Sequence, residues 1–278
     1  MSFGGASVRE ALDSAVIAIA AAGSDTPRLD AELLLADALG VDRAALFLDP
    51  SRPVEGPAVR AFQQAVRRRA AGREPVAYIT GRRGFRALEL QVDERVLVPR
   101  PETELLVDVG VERLARGARV ADVGTGSGAI ALALKHERPD LDVVATDVSA
   151  GALAVARANA ARLGLDVRFV EGDLLVGVGD VDAVLANPPY VAERERASLQ
   201  LEIVRHEPTG ALFAGEDGLD VIRRLVPAAA AAGARLLAVE VGAGQAPAVA
   251  ALMRAAGFVD VRAQRDLAGI ERVVLGSR

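Results

Sequence analysis

The sequence contains no cysteine, which excludes a disulfide framework and a thiolate metal site. Only two histidines are present, His136 and His206, and they are too few for a histidine-based zinc site. No apolar run reaches the length of a membrane span, and the start of the chain lacks the basic and apolar regions of a secretion signal. The composition therefore predicts a soluble, cytoplasmic protein with no metal and no membrane contact.

A positive charge excess is also missing, because the net charge is −5. This balance argues against a general basic surface for nucleic acid. The chain has 278 residues, of which 51% are hydrophobic, so it can bury a sizeable core and is expected to form two domains.

Residues 1–72 are predicted to form a helical bundle that carries no catalytic constellation. A capping box at Ser7 and Glu10 starts the first helix. Thr26 is predicted to cap the second helix, with Pro27 at its first position, and Asp42 to cap a short third helix.

The predicted fourth helix, 59–71, ends in a cluster of arginines. Arg67, Arg68 and Arg69 lie in its last turns, and Arg73 lies just beyond. Cations at this position suit the negative end of a helix dipole, and we prefer this interpretation to a dedicated RNA contact.

Residues 73–104 are predicted to form a hairpin linker that turns at Asp93 and Glu94. A proline-rich stretch then leads into a helix at 102–114. Its charged residues, Arg100, Glu102 and Glu104, either solvate the helix start or line an active-site mouth. The predicted strands of the hairpin contain Phe85, Leu88, Leu90 and Val92, followed by Val96 and Val98.

Residues 105–278 alternate between predicted strands and helices, which favours a parallel sheet covered by helices on both faces. The fold class is therefore α/β. The predicted strands are 119–123, 141–146, 167–171, 181–186 and 235–241, with two late strands at 259–262 and 272–275.

The first of these strands leads into a glycine loop formed by Gly124, Thr125, Gly126, Ser127 and Gly128. Glycines at such a turn let the backbone approach a ligand closely. The spacing is neither that of a dinucleotide fingerprint nor that of a P-loop.

Acidic side chains follow the next two strands. Asp147 ends the second strand and is placed to bind ribose hydroxyls. Asp173 and Leu174 end the third strand, where they can meet the edge and face of an adenine. Together with the glycine loop, these strand ends predict an adenosine ligand and need no pyrophosphate.

The fourth strand ends in Ala186, Asn187, Pro188, Pro189 and Tyr190. The two prolines stop the strand and turn the chain at the ligand-binding edge of the sheet. The Asn187 side-chain oxygen and the Pro188 carbonyl can accept the two N–H bonds of a planar NH2 group, and the Tyr190 ring can lie against its face. The alternative interpretation of this stretch is a proline-stiffened loop with a satisfied asparagine.

The order Asp122, glycine loop, Asp147, Asp173 and 187–190 resembles a class I S-adenosylmethionine-dependent methyltransferase that acts on amino groups. More narrowly, the chain resembles the PrmC/HemK family over essentially its whole length. It departs from some relatives at Leu174, where they carry an aromatic residue over the adenine. The narrow resemblance rests on Pro75–Gly81, Phe85, Val98–Glu104, His206–Pro208, Ala211 and Leu212.

The resemblance implies a Rossmann-like methyltransferase domain at 105–278 and a small all-helical domain at 1–72 for substrate recognition, joined by a β-hairpin. Members of the family methylate N5 of the glutamine in the Gly-Gly-Gln motif of bacterial peptide chain release factors, which act in translation termination. The cofactor would be S-adenosyl-L-methionine, and no direct nucleic-acid partner is expected.

The expected site residues follow from the motifs. Asn187, Pro188 and Tyr190 would be catalytic, and with Pro189 they would bind the substrate. The expected cofactor-binding residues are Gly124, Thr125, Gly126, Ser127, Gly128, Asp147, Asp173, Leu174 and Asn187.

Two alternatives stay open. An adenine-N6 methyltransferase of DNA or RNA shares the 187–190 motif, but it would need a basic track for the nucleic-acid backbone. A catalytically silent S-adenosylmethionine-binding module would not need two acceptors at the methyl group. The roles of Arg100, Glu102 and Glu207 are not fixed by the sequence.

Overall fold

The computed structural model describes residues 5–278, which divide into two compact units. The helical unit contains residues 5–81 and the later segment Gln200–His206. The sheet unit contains Arg82–Leu199 and Glu207–Arg278. The helices of the helical unit are α1 (Val8–Ala21), α2 (Pro27–Leu39), α3 (Ala45–Leu48), α4 (Pro57–Gly72), α5 (Val76–Thr80) and α9 (Leu201–His206).

The predicted capping box at the start of α1 is confirmed. The Ser7 hydroxyl accepts a hydrogen bond from the Glu10 backbone N–H at 3.3 Å, and the Glu10 carboxylate accepts one from the Ser7 N–H at 2.8 Å. α2 begins at Pro27 as predicted and ends at Gly40, whose φ of 64° lies in the left-handed region that glycine tolerates.

One predicted cap is confirmed in position and one is wrong. Thr26 occupies the N-cap position of α2 as predicted, but its side chain makes no capping bond, because its hydroxyl donates to the Asp30 carboxylate at 3.0 Å. Asp42 does not cap α3 with its side chain, since Ala44 occupies the N-cap position there.

An ionic cluster of the buried Asp30, Arg69 and Glu202 and the partly buried Arg73 links α9 to the other helices of the bundle. Arg69 donates to Asp30 at 2.7 Å and to Glu202 at 3.1 Å, and Arg73 donates to Glu202 at 2.6 Å. Arg69 does lie in the last turn of α4, where a cation suits the helix end. The sequence interpretation nevertheless missed the partner, because Glu202 follows 133 residues after Arg69.

The sheet unit opens with a two-stranded antiparallel hairpin and continues as alternating strands and helices, as predicted. Its helices and strands are β1 (Arg82–Phe85), β2 (Leu88–Gln91), α6 (Glu104–Arg113), β3 (Arg119–Val123), α7 (Ala129–Glu137), β4 (Asp142–Asp147), α8 (Ala150–Leu163), β5 (Arg168–Glu171), β6 (Ala183–Ala186), α10 (Asp220–Ala231), β7 (Leu236–Glu240), α11 (Ala246–Ala255), β8 (Arg262–Arg265) and β9 (Glu271–Ser277). Short 3-10 turns cover Pro101–Thr103, Glu193–Ser198 and Thr209–Ala211.

The main sheet has seven strands in the order β5-β4-β3-β6-β7-β9-β8. The five strands from β5 to β7 run parallel, and β9 lies antiparallel between β7 and β8. The predicted parallel sheet is therefore confirmed. The late strands differ, because β9 runs antiparallel to both of its neighbours and β8 begins where the predicted strand 259–262 ends.

The central strands separate two hydrophobic cores by simple alternation. Val120 and Leu185 face one core, whereas their neighbours Ala121 and Val184 face the other. Because side chains alternate along a strand, a strand buried on both faces is a continuous apolar run. The strand-end residues are then the first positions along these strands at which polar side chains can reach solvent.

The predicted hairpin turn at Asp93 and Glu94 is wrong. The chain turns earlier, at Arg86 and Ala87, so that Phe85 pairs with Leu88. Arg86 takes a left-handed φ of 50°, and its backbone N–H donates to Glu104 at 3.0 Å. The alternation of valines beyond residue 91 belongs to an irregular stretch rather than to a strand.

The units also divide at a different position from the predicted boundary at residue 72. α5 packs against α2 and α4, which extends the helical unit to Gly81. The hairpin belongs to the sheet unit, and α9 belongs to the helical unit. Within residues 5–278, no helix is long and apolar enough to cross a membrane.

Candidate active site

A cavity of about 510 Å³ follows the edge of the sheet where the parallel strands end. Carboxyl ends of parallel strands meet at one edge, so residues far apart in the chain line the same space. Ten of the predicted site residues are in its wall: Gly124, Thr125, Gly126, Ser127, Asp147, Asp173, Leu174, Asn187, Pro188 and Pro189. Gly128 and Tyr190 are not among the residues lining the cavity.

The glycine loop is held by its backbone. The N–H groups of Gly124 and Thr125 both donate to the Thr146 carbonyl at 2.9 Å. Gly124, Gly126 and Gly128 have φ values of 74°, 55° and 87°, a region that side chains rarely adopt. Gly128 lies behind the loop, where an added Cβ would come within 2.8 Å of Leu132 Cδ1.

Asp122 fastens this loop from below. One carboxylate oxygen accepts from the Thr125 hydroxyl at 2.6 Å and from the Ala131 N–H at 3.1 Å. Burial raises the pKa of Asp122 to about 7. Its other oxygen is buried and has no hydrogen-bond partner within residues 5–278. The Asp122 carboxyl thus links β3, the glycine loop and α7 through hydrogen bonds.

Asn159 fastens the loop from the side. Its amide nitrogen donates to the Ser127 carbonyl at 3.0 Å and to the Gln91 carbonyl at 2.9 Å. Its amide oxygen accepts from the Gln91 N–H at 2.7 Å. This fully buried side chain therefore links α8, the glycine loop and the end of β2.

Asp147 lies at the end of β4, beside the loop. Its two carboxylate oxygens accept from the backbone N–H groups of Gly126 at 3.0 Å and Ser149 at 2.9 Å. A carboxylate offers about four lone-pair sites, so this side chain keeps acceptor capacity toward the cavity.

Asp173 and Leu174 form the next part of the wall. Asp173 pairs with Arg224, which also lines the cavity. Leu174 has a left-handed φ of 53°, and its carbonyl accepts from the buried Thr146 hydroxyl at 2.7 Å. This turn presents an apolar side chain and a carboxylate at adjacent positions.

Asn187 is held in one orientation by a chain of hydrogen bonds. Its Nδ2 donates to Thr103 Oγ1 at 3.0 Å, and the Thr103 hydroxyl donates to Glu240 Oε2 at 2.6 Å. Tyr190 Oη donates to the other oxygen, Glu240 Oε1, at 3.2 Å. No group within residues 5–278 donates to Asn187 Oδ1, which leaves this oxygen available as an acceptor.

Glu240 ends β7 and is buried. Burial raises its pKa to about 7, against the lowering effect of the Thr103 and Tyr190 hydroxyls. Burial and the neighbouring Glu240 also raise the pKa of Tyr190, so its phenol stays protonated and can donate. Tyr190 thus faces Glu240 with its hydroxyl.

The backbone of the turn is fixed as well. Gln245 donates to the Tyr190 carbonyl at 2.9 Å and accepts from the Gly242 N–H at 2.8 Å. Gly218 approaches so closely that an added Cβ would lie 2.2 Å from the Tyr190 carbonyl oxygen. Pro188 has no N–H, and its carbonyl accepts no hydrogen bond from residues 5–278.

The charged neighbours of Thr103 lie outside the cavity lining. Arg100 forms an ion pair with the buried Glu207 at 2.6 Å. Glu104 accepts from the hairpin turn at Arg86. Of the stretch 100–104, only Thr103 reaches the cavity.

Comparison with known proteins agrees with this architecture. Residues 10–81 match the family described as the PrmC N-terminal domain, and residues 101–228 match the methyltransferase small domain. A relative named release factor glutamine methyltransferase, from Deinococcus radiodurans, is 45% identical over 98% of each chain. A relative of the same name from Xylella fastidiosa is 45% identical and covers 95% of this chain and 98% of its own.

This chain belongs to the release factor glutamine methyltransferase family. The predicted fold class and the resemblance to the PrmC/HemK family are thereby confirmed. Among solved structures, the hMettl16 catalytic domain in complex with a MAT2A 3′UTR hairpin matches with a TM-score of 0.55 and 18% identity, covering 80% of this chain and 81% of its own. That likeness concerns the fold alone.

Sequence reasoning about this release factor glutamine methyltransferase family member missed Thr103 and Glu240. Glu240 follows the same strand-end rule that identified Asp147, because it is an acidic residue at the end of the apolar run Leu236–Val239. Thr103 is an uncharged residue between Glu102 and Glu104 in the proline-rich stretch, so charge alone did not indicate it. The acidic strand end was the available signal.

Proposed function

We propose that this chain transfers a methyl group from S-adenosyl-L-methionine to N5 of the glutamine in the Gly-Gly-Gln motif of peptide chain release factors. The observation that carries the proposal is the pair of open acceptors at Asn187 Oδ1 and the Pro188 carbonyl, at the end of β6 in the cavity wall. The names of relatives that are 45% identical over nearly the whole chain support the same activity.

The residues present fit the cofactor. The cavity of about 510 Å³ is of the size of small-molecule sites, and its glycine loop offers backbone without side chains. Asp147 would hold the ribose hydroxyls with its remaining lone pairs, and Asp173 with Leu174 would meet the adenine. When bound, the cofactor supplies an electrophilic methyl group on a positively charged sulfur.

The substrate nitrogen presents the chemical difficulty. A glutamine amide is planar because its lone pair is delocalised into the carbonyl. Asn187 Oδ1 and the Pro188 carbonyl would accept its two N–H bonds, which orients the nitrogen and favours a more pyramidal geometry. No base is needed before transfer, because the proton can leave afterwards. Pro189 would confine the amide plane from the cavity wall, and Tyr190, which does not line the cavity, would have to present its ring when the substrate binds to do the same.

The helical unit is proposed to recognise the protein substrate. Residues 10–81 match the PrmC N-terminal domain, and residues 5–81 contain no candidate catalytic residues. A short peptide carrying the motif should therefore be a much poorer substrate than the intact release factor. Equal kcat/KM for the peptide and the intact factor would remove the recognition role. The proposed location is the cytoplasm, and we expect no nucleic-acid substrate.

The test uses labelled methyl transfer by the purified chain. An intact release factor should be labelled, whereas a release factor with alanine in place of the motif glutamine should not. Duplex DNA and RNA serve as competing acceptors. Label on nucleic acid, or equal label on the two release factors, would contradict the proposed substrate.

A further inference from the structure

We propose that Glu240, acting through Thr103, is a positioning residue that keeps the Asn187 amide oxygen turned toward the substrate. This inference rests on the proposed function and extends it to residues that do not touch the reacting nitrogen. The three side chains come from different parts of the sheet unit, since Thr103 and Glu240 are 137 residues apart and Thr103 and Asn187 are 84 apart.

The direction of the hydrogen bonds carries the argument. A threonine hydroxyl has one hydrogen to donate, and here Glu240 Oε2 accepts it at 2.6 Å. Thr103 Oγ1 can then only accept from Asn187, so the side-chain nitrogen of the asparagine must face it. The amide oxygen therefore points the other way, which is the orientation that a substrate NH2 group requires.

Burial makes this choice strict. Thr103 is 4% exposed and Glu240 is 1% exposed, so water has little access to reverse the bonds. An asparagine side chain has nearly the same shape in both orientations, and only its partners distinguish oxygen from nitrogen. If the amide were reversed, its NH2 group would oppose the NH2 group of the substrate.

The charge on Glu240 sets the direction. The ionised carboxylate accepts from both Thr103 and Tyr190. A proton on Oε2 would make Glu240 the donor to Thr103, which would free the Thr103 hydrogen for Asn187 and favour the reversed amide. The charged groups acting on Glu240 are Glu102, which raises its pKa, and Arg272, which lowers it. Arg100 and Arg272 act on Tyr190.

The first experiment compares Thr103→Val, Thr103→Ser and Thr80→Val. Valine keeps the shape of threonine but removes both hydrogen bonds, so kcat should fall about tenfold or more, while cofactor affinity by calorimetry should stay within about twofold. Serine keeps the hydroxyl and should restore most of kcat. Thr80→Val is the matched control, because it makes the same substitution at a threonine outside the cavity lining, whose hydroxyl donates to the Val76 carbonyl at 3.0 Å. Wild-type kcat in Thr103→Val would overturn the proposal.

The second experiment measures kcat against pH. The ionised form of Glu240 is the competent one, so kcat should rise as pH increases through about 7, the raised pKa of this carboxyl. Glu240→Gln cannot titrate and should lose this rise. An unchanged pH profile in Glu240→Gln would contradict the assignment.

A spectroscopic readout separates this inference from the proposed function. The side-chain NH2 signals of Asn187 can be assigned in nitrogen-15 NMR spectra by their absence in Asn187→Ala. They should titrate near pH 7 in the wild type, stay constant in Glu240→Gln and shift in Thr103→Val. If the wild type methylates no release factor but the signals behave in this way, only the proposed function fails. If methylation occurs but the Asn187 signals are the same in the wild type, Thr103→Val and Glu240→Gln, only the positioning role fails.

Discussion

The two ends of the cavity are built by different means. At the cofactor end, backbone geometry dominates: the glycine loop donates to the Thr146 carbonyl, and Asp147 is held by two backbone N–H groups. At the substrate end, side chains dominate, through the bonds from Asn187 to Thr103 and from Thr103 to Glu240. The first arrangement is sensitive to added atoms, because Gly128 packs closely against Leu132. The second depends on where each hydrogen lies.

The largest effect is expected at the substrate end. Asn187→Ala removes one of the two acceptors proposed for the substrate amide, and the loss falls on the transition state. Losing one such partner typically costs about 3–4 kcal/mol, or roughly a hundred- to a thousandfold in kcat. Asn187→Asp keeps an acceptor but adds a charge near the sulfonium. Comparing the two variants therefore separates the effect of losing the acceptor from the effect of the added charge.

Both Asn187 variants should fold and should bind the cofactor with near-normal affinity, as measured by calorimetry. Near-normal kcat in Asn187→Ala would mean that another group orients the nitrogen, whereas near-normal kcat in Asn187→Asp would mean that any acceptor at this position is sufficient.

At the cofactor end, a single added carbon should matter. Gly128→Ala places a Cβ 2.8 Å from Leu132 Cδ1 at a φ of 87°, so strain and overpacking together should cost about 2–4 kcal/mol of unfolding free energy. Gly126→Ala is the matched control, because its φ is also positive, at 55°, but its Cβ would meet nothing within 4 Å. Denaturant unfolding without cofactor measures both, and equal destabilisation would rule out the packing contact as the cause.

The pH dependence of the unfolding free energy tests the role of Asp122, whose carboxyl holds the glycine loop. The folded-state pKa of Asp122 is raised to about 7, so its stabilising contribution is present below the unfolded-state pKa and is lost as pH rises toward 7. Between pH 5 and pH 8 the wild type should lose on the order of 2 kcal/mol of unfolding free energy through this group. Asp122→Asn should remove this part of the decline and leave the part that Glu240 contributes, because the pKa of Glu240 is also raised to about 7. Unfolding curves of both proteins at the two pH values test it. A parallel decline in both proteins would assign the dependence to another group.

The smallest effect is expected for Asp147→Ala. The side chain is only partly buried, and its loss removes the acceptors proposed for ribose hydroxyls, so cofactor affinity should fall by about tenfold. The fold should persist, because the neighbouring backbone bonds to Thr146 remain. Unchanged affinity by calorimetry would remove the ribose assignment.

The same contrast explains what the sequence could predict. The glycine loop and Asp147 follow directly from the ends of apolar strands, so local order along the chain was sufficient to place them. The bond between Thr103 and Glu240 joins residues 137 positions apart, and no local pattern states that they meet. The ends of the strands predicted which edge of the sheet carries the site. They did not predict which side chains form hydrogen bonds with one another at that edge.

The errors in the fold have a similar origin. Alternating valines near Asp93 imitate a strand, whereas the true turn depends on Arg86, whose backbone N–H finds Glu104 only in the folded unit. Arg73 was interpreted from its neighbours on α4, but its partner Glu202 lies 129 residues further along the chain. Periodicity predicted the helices and the sheet well, and long-range polar partners had to come from the structure.

The segment Gln200–His206 affects when the helical unit can complete its folding during synthesis. During synthesis the bundle emerges first, and Arg69 can meet Asp30, 39 residues away, long before Glu202 exists. Closing such a distant contact late carries a loop-closure cost that local helix pairing does not. The helical unit therefore reaches its final ion pairing only after more than half of the sheet unit has been translated. No cut at a single peptide bond can yield both units whole, because the chain passes between them at three places, after Gly81, Leu199 and His206.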